Sequence, residues 1–314
     1  MNTLKQVVII TPCYNENIAI VKFLTELEET LAHLPYYFHV VVVEDCSTDN
    51  TASMLQKFSF RSFNFNLTIL MLKYNVGHQR AIYQGLLYAR DLDAEHFIVM
   101  DSDGEDDPAA IKELLGLRNF EIVNVVRGRR RESFTFQFFY IVYKMIFKAI
   151  TGKNMNFGNY CMISKNVLEN CVMTSFLHFA AHLSKQKKIA ATVVYNRRKR
   201  LDGNSKMNLA SLVHHAFRSF IEYADEFLMV FLKLSMVFAA VFFSLILYVV
   251  YVKIFTDKAI LGWASTLSVG LFSMCLMCIG FFIMGILLLN ILSRNNQLNQ
   301  TIYTKVENQI FNKA

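Results

Sequence analysis

Residues 261–292 carry no formal charge over 32 positions, and residues 234–252 are apolar for 19. A helix of about 20 apolar residues crosses the hydrocarbon core of a bilayer. The two runs therefore predict membrane-spanning helices, bounded at 227–253 and 261–292. Lys253, Asp257 and Lys258 fall in or beside the short connection, which makes the pair a hairpin. Lys233 can extend its ammonium to the interface. Arg197, Arg198, Lys199, Arg200, Lys206 and Arg218 precede the first span, and Arg294 and Lys305 follow the second. The positive-inside rule then predicts both termini in the cytoplasm.

The rest of the chain reads as a separate domain. The protein has 314 residues, 54% of them hydrophobic, and the apolar excess collects after residue 226. That leaves roughly 200 residues for one water-facing domain. The net charge of +7 falls largely between residues 118 and 218, which suits nucleic acid, anionic lipid or a phosphorylated substrate. Six cysteines show no paired spacing in this domain, so a reduced compartment without a disulfide frame is expected. The N-terminus runs directly into Val7-Val8-Ile9-Ile10, with no pattern of a cleaved signal.

Short apolar runs alternate with helical spacing. Strands are predicted at 7–10, 40–43, 67–72, 97–100, 122–126 and 190–195, with a further one within 156–164. Helices are predicted at 17–31, through residue 55, at 78–89 and, as one or two segments, at 167–186. Ser47, Thr48 and Asp49 are candidate N-caps for the second of these. Continuous apolar strands of this kind are buried on both faces. The fold class is α/β: a Rossmann-like, mainly parallel sheet with helices on both faces. Residues 134–150 are strongly aromatic, with Lys144 and Lys148 one turn apart. They read as a helix lying in a membrane interface, with a core helix as the other reading. Residues 207–226 are amphipathic and lead into the first span.

Three of the predicted strands end in acidic or polar loops: 11–16, 44–49 and 101–107. In a parallel sheet these loops gather at one edge, where such folds hold ligands. The third loop puts five acids in seven positions, Asp101, Asp103, Glu105, Asp106 and Asp107, just before Pro108. Carboxylates so close repel one another, and a hard cation such as Mg²⁺ or Mn²⁺ would relieve them. A solvated acidic loop is the alternative. An EF-hand fits poorly, because its Gly and Glu positions hold Asp106 and Lys112. The chain has no phosphate-cradling GxxxxGK[ST], no GxGxxG, no HExxH and no G-x-S-x-G. His78, His178, His182, His214 and His215 suit contacts to substrate or headgroups better than a metal, for want of partner ligands.

These motifs carry a resemblance. Residues 7–16 (VVIITPCYNE), 43–51 (VEDCSTDNT), 75–77 (NVG) and 100–108 (MDSDGEDDP) are similar to family 2 glycosyltransferases of the GT-A fold. Arg197, Arg200, Gly203, Ser205 and Lys206 resemble the R-x-x-R-x-x-G-x-S-K signature of the polyprenyl-phosphate branch, as does the closing pair of spans. The likeness covers residues 5–210 and, beyond them, architecture only. It implies a catalytic domain at 1–206, a juxtamembrane segment at 207–226, the two spans and a cytoplasmic tail at 293–314. Pro12, Tyr14, Asn15, Glu16, Asp45 and Asp101 would bind the nucleotide. Asp101, Asp103 and Glu105 would hold Mg²⁺ or Mn²⁺. Arg127, Arg129 and Ser205 would meet phosphate, although residues 127–131 also suit an anionic-lipid patch. Asp103, Arg200 and Lys206 would carry catalysis.

The implied reaction is inverting transfer of one sugar from a nucleotide sugar, UDP preferred over GDP, to polyprenyl (undecaprenyl) phosphate. It would take place at the cytoplasmic membrane face and supply a lipid-linked sugar for the cell envelope. The implied partners are the bilayer and further copies of the chain through its spans, with no nucleic acid. Another lipid-linked or polymeric acceptor, and a non-catalytic scaffold or translocator subunit, stay open as alternatives. Two segments depart from the family pattern. Asn159 and Cys161 stand where relatives often carry Asp and Arg, and Glu44-Asp45-Cys46 replaces Asp-Asp-Gly.

Overall fold

The computed structural model describes residues 4–127, 145, 147–148, 152, 157–174, 176–186, 188–196, 198–202, 221–255, 262–296 and 301–307. They fall into two compact units. The first holds the sheet, and includes the strand that follows the apolar helices. The second holds those helices.

The strands of the first unit are β1 (Lys5–Cys13), β2 (Tyr36–Glu44), β3 (Phe65–Leu72), β4 (His96–Val99), β5 (Ile122–Arg127), β6 (Phe157–Ser164), β7 (Ala190–Tyr195) and β8 (Tyr303–Glu307). They form one sheet in the order β7-β5-β6-β4-β1-β2-β3-β8. β1 pairs in parallel with β2 and β4, β2 with β3, and β5 with β7. β6 runs antiparallel to β4 and β5, and β8 antiparallel to β3. The helices are α1 (Ile20–Leu31), α2 (Thr51–Lys57), α3 (His78–Ala89), α4 (Ala110–Gly116), α5 (Lys165–Thr174) and α6 (Phe179–Lys185).

Side chains alternate between the two faces of a strand, and both faces here are apolar. Val7, Ile9, Val40, Val42, Ile98 and Met100 pack with Phe23, Leu24 and Leu27 of α1 and Ile111 and Leu114 of α4. Val8, Ile10, Val41, Val43, Phe97 and Val99 pack on the other side with Leu86 of α3, Leu168 of α5 and Phe179 of α6. Two-sided burial is why these strands read as unbroken apolar runs.

The expected alternation holds, with three local differences. The segment expected as a helix from residue 17 becomes helical at Ile20, and the region 167–186 is two helices. α2 starts at Thr51 behind Asn50, which makes no side-chain cap bond. Asp49 Oδ1 accepts from Thr51 N–H at 2.9 Å and so serves the helix start, whereas the side chains of Ser47 and Thr48 bond to Asn15 in the loop after β1. The region expected only as a tail contains β8, whose Lys305 ammonium lies over the Tyr88 ring, and just before it the Ile302 N–H donates to Gln84 Oε1. The expected aromatic helix at 134–150 and amphipathic segment at 207–226 lie almost wholly outside the described residues.

In the second unit, α7 (Ala224–Phe255) and α8 (Trp263–Asn296) are antiparallel. Phe231 meets Phe281, Phe242 meets Phe272, and the Cys275 thiol donates to the Ser235 carbonyl at 3.6 Å. Within them, Ala224–Val252 and Ser268–Leu288 are long and apolar enough to cross a membrane. Their large side chains point outward, as at Phe243, Leu247 and Phe255. Exposed apolar surface on this scale marks a membrane or protein partner.

Gly85 is the point where α3 lies closest to the sheet. A Cβ there would run into Ile10 Cγ2 and come within 2.9 Å of Val43 Cγ2. Gly85→Val is expected to destabilise the domain by about 1–3 kcal/mol through overpacking, read as a lowered midpoint in thermal or denaturant unfolding of the detergent-solubilised chain.

Candidate active site

β1 is where the strand order reverses, with β4 on one side and β2 on the other. Ligands of open α/β sheets bind outside the carboxyl ends of the strands at such a switch point. The loops after β1, β2 and β4 meet there. The Asn15 amide donates to Ser47 Oγ at 3.0 Å, and the Glu16 amide to Thr51 Oγ1 at 2.9 Å. Thr48 N–H donates to Asn15 Oδ1 at 2.8 Å, and the Ser102 hydroxyl to the Pro12 carbonyl at 2.9 Å. Pro12, Asn15, Glu16 and Ser102 are thus tied into one rim, with Tyr14 exposed beside them. Asn15 and Cys46 have φ of 53° and 56°. Asn tolerates this left-handed region better than most residues, whereas Cys46 occupies it at a cost of roughly 1 kcal/mol. Glycine would relieve that cost, which gives a physical reason for the family's Asp-Asp-Gly.

Asp45 is buried and organises the next loop. Its Oδ1 accepts from Val76 N–H at 2.7 Å and its Oδ2 from Gly77 N–H at 2.9 Å. Asn75 Nδ2 donates to the Asp45 carbonyl at 3.0 Å. Burial pushes the Asp45 carboxyl up, partly offset by those two amides. Asp45 thereby fixes the start of α3, which brings His78 and Gln79 to the site.

The acidic loop is braced internally. Asp106 Oδ2 accepts from Asp101 N–H, Asp103 Oδ1 from Glu105 N–H and Asp107 Oδ1 from Ala109 N–H, each at 2.9 Å. Arg200 Nη2 lies 3.0 Å from Asp103 Oδ2, and Arg200 Nε lies 3.6 Å from Glu105 Oε1. Arg198 reaches Glu26 and, at 3.5 Å, Asp107. Asp101 Oδ1 is buried and accepts no hydrogen bond, and His78 Nε2 lies 3.4 Å from it.

β6 brings Asn159 to the same place. β4 pairs with β6 up to Val99 opposite Cys161. Counting on by two residues puts Asn159 across from Asp101. Asn159 Nδ2 is 2.9 Å from His78 Nε2, and Gln79 Nε2 is 3.5 Å from Asn159 Oδ1. Gln79 Oε1 in turn accepts from Phe179 N–H at 2.6 Å. Cys161 faces the apolar core, and burial pushes its thiol well up.

The structure therefore gathers Pro12, Tyr14, Asn15, Glu16, Asp45, Asp101, Asp103, Glu105 and Arg200 at one sheet edge. Arg127 closes β5, while Arg129, Ser205 and Lys206 lie outside the described residues. Sequence reasoning did not place Gln79, Arg198, Leu201 or Glu222 at the site, and named Arg198 only among the basic residues before the first span. Only the R-x-x-R spacing hinted at the segment 198–201 that carries two of them.

Glu222 lies just before α7. Its Oε1 is 2.8 Å from His182 Nδ1, and its Oε2 accepts from Leu177 N–H at 2.9 Å and His178 N–H at 3.3 Å. Lys185 Nζ donates to its carbonyl at 2.8 Å. Burial pushes the carboxyl up, but His182 and the two amides outweigh it, and the net direction is down. A depressed carboxyl stabilises the fold above the usual glutamate value of about 4.3 and loses that contribution as pH falls through its lowered value. Melting temperature is accordingly expected to fall below about pH 4.3, less steeply in Glu222→Gln. Asp45→Ala is expected to leave the part-buried amides of Val76 and Gly77 without their acceptor, costing about 1 kcal/mol for each, seen as a lower melting temperature.

A family model described as Glycosyl transferase family 2 matches residues 8–182. An uncharacterized glycosyltransferase of Bacillus subtilis, YkcC, is 25% identical over 84% of this chain and 82% of its own length. The undecaprenyl-phosphate 4-deoxy-4-formamido-L-arabinose transferase of Serratia proteamaculans is 24% identical over 67% of this chain and 65% of its own. The chain thus spans just under two thirds of that transferase. Mannosyl-3-phosphoglycerate synthase from Rubrobacter xylanophilus superposes with a TM-score of 0.54 at 15% identity, covering 71% of this chain and 73% of that one. Glucosyl-3-phosphoglycerate synthase from Mycobacterium tuberculosis, in complex with Mn²⁺, UDP and glucosyl-3-phosphoglycerate, gives 0.52 at 13% identity, covering 71% and 80%. These likenesses show a GT-A fold, and with the family match they make the chain a glycosyltransferase of family 2.

Proposed function

We propose that the protein moves one sugar, with inversion, from a nucleotide sugar to polyprenyl phosphate at the cytoplasmic face of a membrane. The observation that carries this reading is the chain's route. It leaves the sheet-bearing unit at residue 222, runs through two helices long and apolar enough to span, and returns at residue 300 to pair β8 with β3. Two crossings bring a chain back to the side it left, so the site would face the leaflet that presents the lipid phosphate. The Serratia relative is named for undecaprenyl phosphate as its acceptor, which fits that route. The basic residues flanking the spans favour the cytoplasmic side. UDP is preferred over GDP, in keeping with the UDP complex of the Mycobacterium tuberculosis enzyme.

The donor set suits a divalent cation that needs substrate to complete its shell. Among the described residues no group of three or more His, Cys, Asp and Glu could hold a metal on its own. Asp101 nevertheless presents a buried oxygen without a hydrogen bond, and Mg²⁺ commonly takes one or two carboxylates plus substrate phosphates. Asp101 and Asp103 would hold Mg²⁺ or Mn²⁺, with Glu105 beside them. The ion, when bound, would neutralise charge on the departing diphosphate.

The acceptor dictates the rest. A polyprenyl phosphate oxygen is already anionic at neutral pH, so no side chain has to remove a proton from it. Asn159 in the place of a carboxylate is then no obstacle. The chain must position the two substrates in line and supply positive charge where the diphosphate leaves. Arg200, with Arg127, Arg129, Ser205 and Lys206, is assigned to the phosphates, because a guanidinium binds them through paired N–H donors. Pro12, Tyr14, Asn15, Glu16 and Asp45 line or support the nucleoside pocket.

The full chain in detergent, supplied with undecaprenyl phosphate, Mg²⁺ or Mn²⁺ and a panel of UDP- and GDP-sugars, is expected to give a lipid carrying one sugar, detected by mass spectrometry. EDTA should abolish the product, and Asp101→Asn should reduce it by about 10²-fold or more. Nucleotide binding without transfer to any polyprenyl phosphate would overturn this acceptor in favour of another.

A further inference from the structure

A strap lies over the acidic loop. Arg198 N–H donates to the Glu105 carbonyl and Leu201 N–H to the Asp103 carbonyl, each at 3.0 Å. Leu201 fills the space above Gly104, where a Cβ would run into its Cγ and stand 2.7 Å from its Cδ1. Gly104 has φ +81°, a conformation that also favours glycine. Arg198 anchors the strap to Glu26 and Asp107. The strap delivers the Arg200 guanidinium between Asp103 and Glu105, which are 6% and 7% exposed. One Asp103 oxygen takes the Glu105 amide and the other takes Arg200. Both oxygens of this carboxylate are therefore engaged by groups of the chain itself, while Asp101 Oδ1 is not hydrogen-bonded.

We propose that Arg200 is a resident counter-cation. It neutralises Asp103 and Glu105 while the site is empty, and a divalent cation gains Asp103 only together with a nucleoside diphosphate, which draws the guanidinium onto its phosphate oxygens. This rests on the metal and nucleotide reading above. The reasoning is one of exchange. Breaking a buried ion pair is costly when a partner is left alone. A metal arriving by itself would displace Arg200 with nothing to receive it, and would stand beside a like charge. A metal arriving with a diphosphate supplies the carboxylates with a cation and the guanidinium with an anion of matching geometry. Metal and nucleotide must then reinforce each other's binding, and by linkage the factor is the same in both directions. Arg200 would also reach the phosphates only once the donor is present, which keeps the site from collecting free metal.

The test reads metal binding rather than turnover. Mn²⁺ binding to the full chain in detergent is measured by electron paramagnetic resonance, without nucleotide and with UDP or GDP. The native chain is expected to bind Mn²⁺ weakly alone and about tenfold or more tightly with the right nucleotide, within the usual range of coupling. Arg200→Gln is expected to bind Mn²⁺ alone about tenfold more tightly than the native chain, with most of the nucleotide's help gone. Arg200→Lys keeps a charge in place but cannot span both carboxylates, so it should fall between the two. It also keeps the test decisive if the glutamine variant fails to fold. Mn²⁺ affinity in these variants equal to or below that of the native chain would overturn the counter-cation alone. Absence of Mn²⁺ binding by every form, with and without either nucleotide, would overturn the metal reading and this inference with it.

Discussion

The repulsion among carboxylates crowded at one sheet edge is the constraint on which the rest of this structure depends. Asp101, Asp103, Glu105, Asp106 and Asp107 follow β4 within seven positions, and Asp103, Glu105 and Asp106 are buried. Such a cluster persists because nearly every charge has an answer close by. Backbone amides answer Asp103, Asp106 and Asp107, and Arg200 answers Asp103 and Glu105. The same residues, proposed above to receive a metal and a diphosphate, would make the edge unstable if left bare.

The sheet converts that local requirement into a site. Because β1 sits between β2 and β4, the carboxyl ends of three strands open onto one crevice. Two-sided apolar burial holds those strands rigidly, so the loops can be polar, strained and still well positioned. Cys46 and Asn15 keep left-handed backbones there because hydrogen bonds to Ser47, Thr48 and Asp45 surround them. On the reading proposed above, a nucleotide would meet a rim that hydrogen bonds among these loops already shape, and Arg200 would change partner as it binds.

Much of this was legible in the sequence, for physical reasons. Unbroken apolar runs such as 40–43 can only be strands covered on both sides, and acidic loops behind them can only gather at one edge. The 32 uncharged positions at 261–292 leave few options besides a span. What stayed hidden depends on distant pairings. β8 is short and alternates polar residues, as edge strands do, and nothing local distinguishes it from a tail. Strand direction leaves no mark on composition, so the antiparallel β6, which carries Asn159 to His78, was not foreseeable. Arg200 was readable as a phosphate ligand, but its hold on Asp103 joins residues almost a hundred positions apart. The capping expectation holds for Asp49, which accepts from Thr51 N–H, and fails for Ser47 and Thr48 because their side chains find partners at Asn15 in the loop after β1.

β8 also sets an order of events during synthesis. The strand that covers the open edge of β3 is made after both apolar helices. Until then β3 presents unpaired backbone groups, the kind of edge on which chains aggregate. That edge stays open for as long as the intervening helices take to be made, so a chain cut short before residue 303 carries every other strand of the sheet and still lacks the one that closes β3.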